Sequence, residues 1–156
     1  MIDSRTAALL QDIVRRESRS LLQYVSEAFP WVTPEERAAL AELQKMINEE
    51  RRAAQALGQY LVRQRVPPPY LGPYPMEYTT INYVSLDHLL PVLVENQRQA
   101  IARLERDLAA VTDAGAREQV EKILAMKQRH LTTLEAMAAA HPDRAATSPA
   151  AVATVS

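Results

Sequence analysis

Pro67-Pro68-Pro69-Tyr70-Leu71-Gly72-Pro73-Tyr74-Pro75-Met76-Glu77-Tyr78-Thr79-Thr80-Ile81-Asn82-Tyr83-Val84 interrupts a chain that otherwise reads as helix. Half of the ten prolines and four of the six tyrosines fall in this one segment, and no long helix survives that density of proline. An extended proline-rich chain covers about 3.1 Å per residue, so residues 67–84 reach roughly 55 Å. The helical segment before it, about 33 residues at 1.5 Å each, is roughly 50 Å long. The linker can therefore run the length of a helical bundle and let the helices on either side of it lie parallel. An up-down-up-down bundle with short loops has no need of such a segment.

Working outward, the rest of the chain is rich in Ala, Leu, Glu, Arg and Gln, all good helix formers, and holds only three glycines. A first helix is predicted over residues 4–28, ending at Phe29-Pro30-Trp31. Thr33-Pro34-Glu35-Glu36 places a capping Thr, a Pro at the first helical position and acids in the first turn. It opens a second helix that runs to about residue 65 and stops at the three prolines. A third is predicted from Ser85 to Val111, with Pro91 either kinking it or marking its true first turn. Thr112-Asp113-Ala114-Gly115 supplies a turn and a cap, and the fourth helix runs to Ala140. Short loops pair the first helix with the second and the third with the fourth as antiparallel hairpins. The fold class expected is all-α: a four-helix bundle over residues 1–140, with one long crossover (about 67–84) between helices two and three. Residues 141–156, small, polar and proline-containing, are expected to form a disordered tail.

The chain has 156 residues, one domain by length, with 18 Lys and Arg against 19 Asp and Glu. A net charge of −1 argues against a nucleic-acid binder working through bulk electrostatics. Hydrophobic residues make up 47 % of the chain, which suits a packed globular domain. No apolar run approaches the roughly 18 residues of a membrane span, so no membrane partner is expected. The opening Met-Ile-Asp-Ser-Arg lacks the basic-then-apolar pattern of a signal peptide, and a cytoplasmic location is the expectation. With no cysteine there is no disulfide, thiolate metal site or thiol nucleophile.

Apolar residues recur with helical period in all four segments. Each stripe is broken once or twice by a polar residue: Glu17 among Leu10, Ile13, Leu21 and Tyr24; Glu50 among Leu43, Ile47, Ala54, Leu57 and Leu61. Gln97 interrupts Leu90, Leu93, Ala100 and Leu104, and Lys127 interrupts Val120, Ile123, Leu124, Leu131 and Leu134, with His130 at that stripe's edge. A buried charge is expensive unless it is paired or bound to a metal, so these positions predict a polar cluster at the centre of the bundle. The bland alternative is that the two glutamates are ordinary, partly exposed helix residues.

The residues that interrupt the stripes also carry a resemblance. Glu17 followed by Gln23-Tyr24, Glu50 with Leu57 and Leu61 behind it, Gln97-Arg98-Gln99-Ala100-Ile101 and His130-Leu131-Thr132-Thr133-Leu134-Glu135 together resemble the ferritin-like superfamily of bacterioferritins and rubrerythrins over about residues 5–138. That family holds two irons with a Glu from each of two helices and a Glu-x-x-His motif from each of the other two. Set against that pattern, Ala53 stands in place of one His, Gln97 in place of one Glu and Lys127 in place of another. The resemblance therefore implies a degenerate di-iron site, in which the Lys127 ammonium takes the space and charge role of the metals between Glu17 and Glu50. Gln97 and His130 would lie in the adjoining shell. No cofactor and no catalytic residue are expected on this reading, and the chain acts as a scaffold, binding or assembly protein. The alternative is an iron- or manganese-binding oxidoreductase, or an iron-handling protein, using the reduced ligand set Glu17, Glu50 and His130.

The crossover tyrosines Tyr70, Tyr74, Tyr78 and Tyr83 have two readings: rings that fasten the linker to the bundle, or contacts with a partner or second copy. Leu- and Ala-rich helices of this length often bury a second face between subunits, so a homo-oligomer, most simply a dimer, is expected. No Gly-rich phosphate loop and no Ser-His-Asp arrangement appears.

Overall fold

The computed structural model describes residues 1–28 and 30–143. Residues 144–156, most of the expected tail, lie outside the described residues. Among the described residues the chain is all-helical, with five α-helices: α1 Ser4–Ser18, α2 Leu21–Val25, α3 Arg37–Arg63, α4 Leu86–Ala110 and α5 Ala114–Ala140. α1 packs on α3, α4 on α5, and α3 also meets α5. No helix among the described residues is long and apolar enough to cross a membrane.

The first helix departs from expectation. It is not continuous over 4–28 but stops at Ser18, and α2 restarts at Leu21. The cause is Ser20, whose extended backbone and side-chain hydroxyl cap α2 by accepting from the Gln23 N–H at 3.2 Å. The start of α3 is also tighter than expected. Pro34–Glu36 forms a single 3-10 turn, and the Glu36 carboxylate reaches back to accept from the Thr33 N–H at 3.3 Å. Pro91 lies inside α4 and does not open it, since the helix begins at Leu86. At the other end of α4, Asp113 caps α5 by accepting from the Ala116 N–H at 2.8 Å. Gly115, in the first turn of α5, approaches α3 so closely that a Cβ there would stand 2.9 Å from the Tyr60 hydroxyl.

The linker is laid against α1 and α2. Gln11 donates to the Pro67 carbonyl at 2.8 Å, Arg19 to the Gly72 carbonyl at 2.8 Å, and the Tyr24 hydroxyl to Asn82 Oδ1 at 2.6 Å. It is not extended throughout, because Met76–Ile81 coils into a 3-10 helix. Tyr74 meets the Tyr24 ring edge-on at 5.3 Å and lies under the Arg19 guanidinium at 5.0 Å, while Tyr78 tilts against Tyr24 at 5.8 Å. Two of the four linker tyrosines thus fasten it. The other two do not: Tyr70 is 87 % and Tyr83 90 % exposed. At the end of the linker a short parallel bridge joins the chain entering α3 to the chain entering α4. Trp31 N–H donates to the Val84 carbonyl and Leu86 N–H to the Trp31 carbonyl, both at 3.0 Å.

The apolar core falls into two clusters. One gathers Leu21, Leu22 and Val25 with the first half of α3 (Leu43, Met46, Ile47), the first half of α4 (Leu86, Leu90, Leu93) and Leu134 near the end of α5. The other gathers Leu10 and Ile13 with the second half of α3 (Leu57, Leu61), Leu104 of α4 and Val120 and Ile123 of α5. Burying each such side chain contributes about 1.5–3 kcal/mol. Between the two clusters the interior turns polar.

Candidate functional site

Three charged side chains meet in that polar layer. Lys127, from the middle of α5, is 1 % exposed, Glu50 of α3 is fully buried, and Glu17, in the last turn of α1, is 4 % exposed. Lys127 Nζ stands 2.7 Å from Glu17 Oε2 and donates to Glu50 Oε2 at 3.0 Å. The other Glu50 oxygen, Oε1, accepts from the Ser20 hydroxyl. A single ammonium is therefore shared by two carboxylates that neighbour each other.

The electrostatics follow from that ratio. Burial pushes the Glu17 carboxyl above the ordinary carboxylate value, and the Glu50 charge adds to the effect; the nearby Lys127 only partly opposes it. Burial alone would release the Lys127 proton, but Glu17 and Glu50 together more than reverse this and hold the ammonium well above the usual lysine range. The cation is the fixed charge of the cluster, and Glu17 is the carboxylate whose protonation is favoured.

The remaining predicted residues surround this core differently from the expected single network. Gln97 of α4 is buried, but its amide donates at 3.0 Å to the Lys127 main-chain carbonyl and not to a carboxylate. It ties α4 to α5 behind the ion pair. His130 is also buried, yet its Nε2 faces Glu49 Oε2 at 3.1 Å, and its Nδ1 meets no hydrogen-bond partner among the described residues. One helical position thus sends His130 to the half-exposed Glu49 and away from Glu17 and Glu50.

Ser20 and Glu49 escaped the sequence reading, and Gln23, which entered it only through the resemblance, had no role assigned. Ser20 joins the cluster because the break between α1 and α2 turns its hydroxyl inward. Gln23, buried on α2, donates to the Ile47 carbonyl of α3 at 2.9 Å and holds the two segments together. Glu49 carried no signal, since it adjoins Glu50 on an exposed face. Only the serine pattern Ser18-Arg19-Ser20 could have hinted at a cap.

The set does not fit a two-metal carboxylate centre. Lys127 Nζ stands between Glu17 and Glu50, where a cation would sit, and His130 faces Glu49. Among the described residues no three His, Cys, Asp or Glu side chains are grouped to hold a metal.

A cleft of about 420 Å³ opens onto this cluster between α1, α4 and the linker, with Glu17, Ser20 and Lys127 among its lining. Arg16 crosses beside it, pairing with Asp12 of its own helix and Asp107 of α4, both at 2.6 Å. Comparison with family models, with curated proteins and with solved structures yields no match.

Proposed function

We propose that the chain is a ferritin-like four-helix bundle that has lost its di-iron centre, serving as a non-catalytic scaffold, binding or assembly protein. The observation that carries this reading is the Lys127 ammonium held between Glu17 and Glu50, with a cation supplied by the protein where the family would hold metals. The departures at Ala53 and Gln97 agree with it, each removing a ligand.

The topology of such a bundle is supported from two sides. The parallel bridge at Trp31 and Ser85 sets the entries of α3 and α4 at one end. The two core clusters likewise join first half to first half, and second half to second half, of those helices. In this reading α1 and α2 together form the first helix of the bundle, and the linker along them is the crossover. The exposed Tyr70 and Tyr83 are the surface through which a homodimer would form, and light scattering reporting a monomer at high micromolar concentration removes that part of the proposal.

The test is metal content by elemental analysis after expression in iron-rich medium. The parent is expected to carry no stoichiometric metal. Restoring Ala53→His, Gln97→Glu and Lys127→Glu together rebuilds the six-ligand set, and that variant is expected to gain iron or manganese. A parent that purifies with two metals per chain overturns the reading.

A further inference from the structure

The cleft above the ion pair is unbalanced in charge. Five cationic side chains line it, four arginines and Lys127, against two carboxylates, those of Glu17 and Glu77. Lys127 is engaged with Glu17 and Glu50, Arg15 with Asp12, and Arg16 with Asp12 and Asp107, so the cations left to the open part of the cleft are Arg19 and Arg103, against Glu77. This local excess stands in a protein whose overall charge is −1.

The cations come from two sides. Arg15 lies in the last turn of α1 and Arg19 just past its end, and Arg103 lines the opposite side from α4. Arg16 is fully committed to Asp12 and Asp107 and serves the wall more than the opening. Arg19 is held in place by the Gly72 carbonyl and the Tyr74 ring, so little side-chain freedom remains to be lost when a ligand binds. Arg103 makes no ion pair or hydrogen bond among the described residues. On the α4 side Asn96 and Gln99 fall on the same helical face as Arg103 and add polar side chains, Gln99 while donating to Glu95 at 3.3 Å. The linker closes the remaining side with Leu71, Pro73 and Pro75, an apolar wall suited to a carbon skeleton. A volume near 420 Å³ lies in the range of small-molecule sites, which combine apolar walls with a few placed polar groups.

We propose that this cleft binds a small organic oxyanion, a carboxylate or phosphate ester, clamped between Arg19 of the α1 side and Arg103 of α4. Arginine suits that chemistry because its planar fork matches both groups. The proposal concerns the cleft alone and stands whether or not the bundle is ferritin-like.

Isothermal titration of the full chain with sodium phosphate and with sodium citrate, against sodium chloride at matched ionic strength, tests it. Saturable binding is expected for at least one oxyanion and not for chloride. A tighter phosphate points to phosphate esters, a tighter citrate to polycarboxylates. Arg103→Gln, at an exposed position on α4, is expected to weaken binding about tenfold, as loss of a charge-assisted hydrogen bond does. Arg37→Gln, exposed and outside the cleft, is expected to leave it unchanged. The proposal is overturned if neither oxyanion binds more than chloride, if Arg103→Gln has no effect, or if Arg37→Gln weakens binding equally.

Discussion

Ser20 donates its hydroxyl to Glu50, thirty residues further along the chain, and the same oxygen accepts from the Gln23 N–H to start α2. One side chain thus ends a helix break and satisfies a buried carboxylate. This couples local structure to the charged layer: were the first helix continuous, the hydroxyl would not have a cap to make. Ser20→Ala removes both bonds. A loss of about 1–3 kcal/mol is expected in urea unfolding, combining a lost cap with an under-satisfied buried acceptor. Ser20→Thr keeps the hydroxyl and is expected to recover part of it; a Ser20→Ala variant as stable as the parent refutes the coupling.

Lys127→Met leaves two buried carboxylates facing each other without a counter-charge. Breaking a buried pair from one side costs about 3–5 kcal/mol, reduced if a carboxyl takes up a proton. The same substitution in a Glu17→Gln, Glu50→Gln background is expected to cost much less, because no charge is stranded. Equal costs in the two backgrounds, measured by denaturant unfolding, mean that the packing of Lys127 matters and its charge does not.

The two shifted groups of the cluster give stability the same sign of pH dependence. Glu17 binds its proton more tightly in the folded state than at the ordinary value of 4.5. Its contribution is therefore most favourable below that value and is lost as pH rises through the raised folded one. Lys127, also raised, contributes stability that is complete below 10.5 and is lost as pH climbs through its folded value. Glu17→Gln mimics the protonated carboxyl, so this variant should gain stability relative to the parent as pH rises above 4.5 and then level off. Unfolding free energies across pH 4–8 check this, and a gain for the parent instead reverses the assignment.

Two glycines offer opposite outcomes for one substitution. Gly58 lies inside α3, and a Cβ there meets nothing within 4 Å. Gly58→Ala is expected to stabilise by about 0.5–1 kcal/mol through helix propensity and reduced freedom of the unfolded chain. At Gly115 the added Cβ would press on the buried Tyr60 hydroxyl, and Gly115→Ala is expected to lose that gain and to destabilise. Thermal melts of the two variants compare them directly.

How much of this was legible beforehand depends on what kind of signal each feature leaves. The long helices are bounded by prolines and capping residues, which act locally, and their ends fall within a few residues of expectation. The gap at Arg19-Ser20 is different. Residues 15–25 hold neither Gly nor Pro and keep their helical period, so nothing local forbids a continuous helix; the break is decided by what Ser20 finds on α3. Glu17, Glu50 and Lys127 stood out because charge on an apolar stripe demands a partner. The direction of Gln97 and His130 was not readable in the same way. An amide or imidazole has several possible partners, and only the approach of neighbouring helices selects the Lys127 carbonyl for one and Glu49 for the other. The linker's 3-10 turn likewise depends on tertiary contacts of Tyr78 and Ile81 with the core, which composition alone hides.

The positive charge at the middle of this protein is attached by covalent bonds. A bound ion stabilises by mass action, so dilution, a chelator or a starved medium weakens any fold that depends on it. The Lys127 ammonium is present once per chain at every concentration and cannot be removed by competition. The charge that balances Glu17 and Glu50 is thereby independent of supply from outside and changes only with the activity of protons.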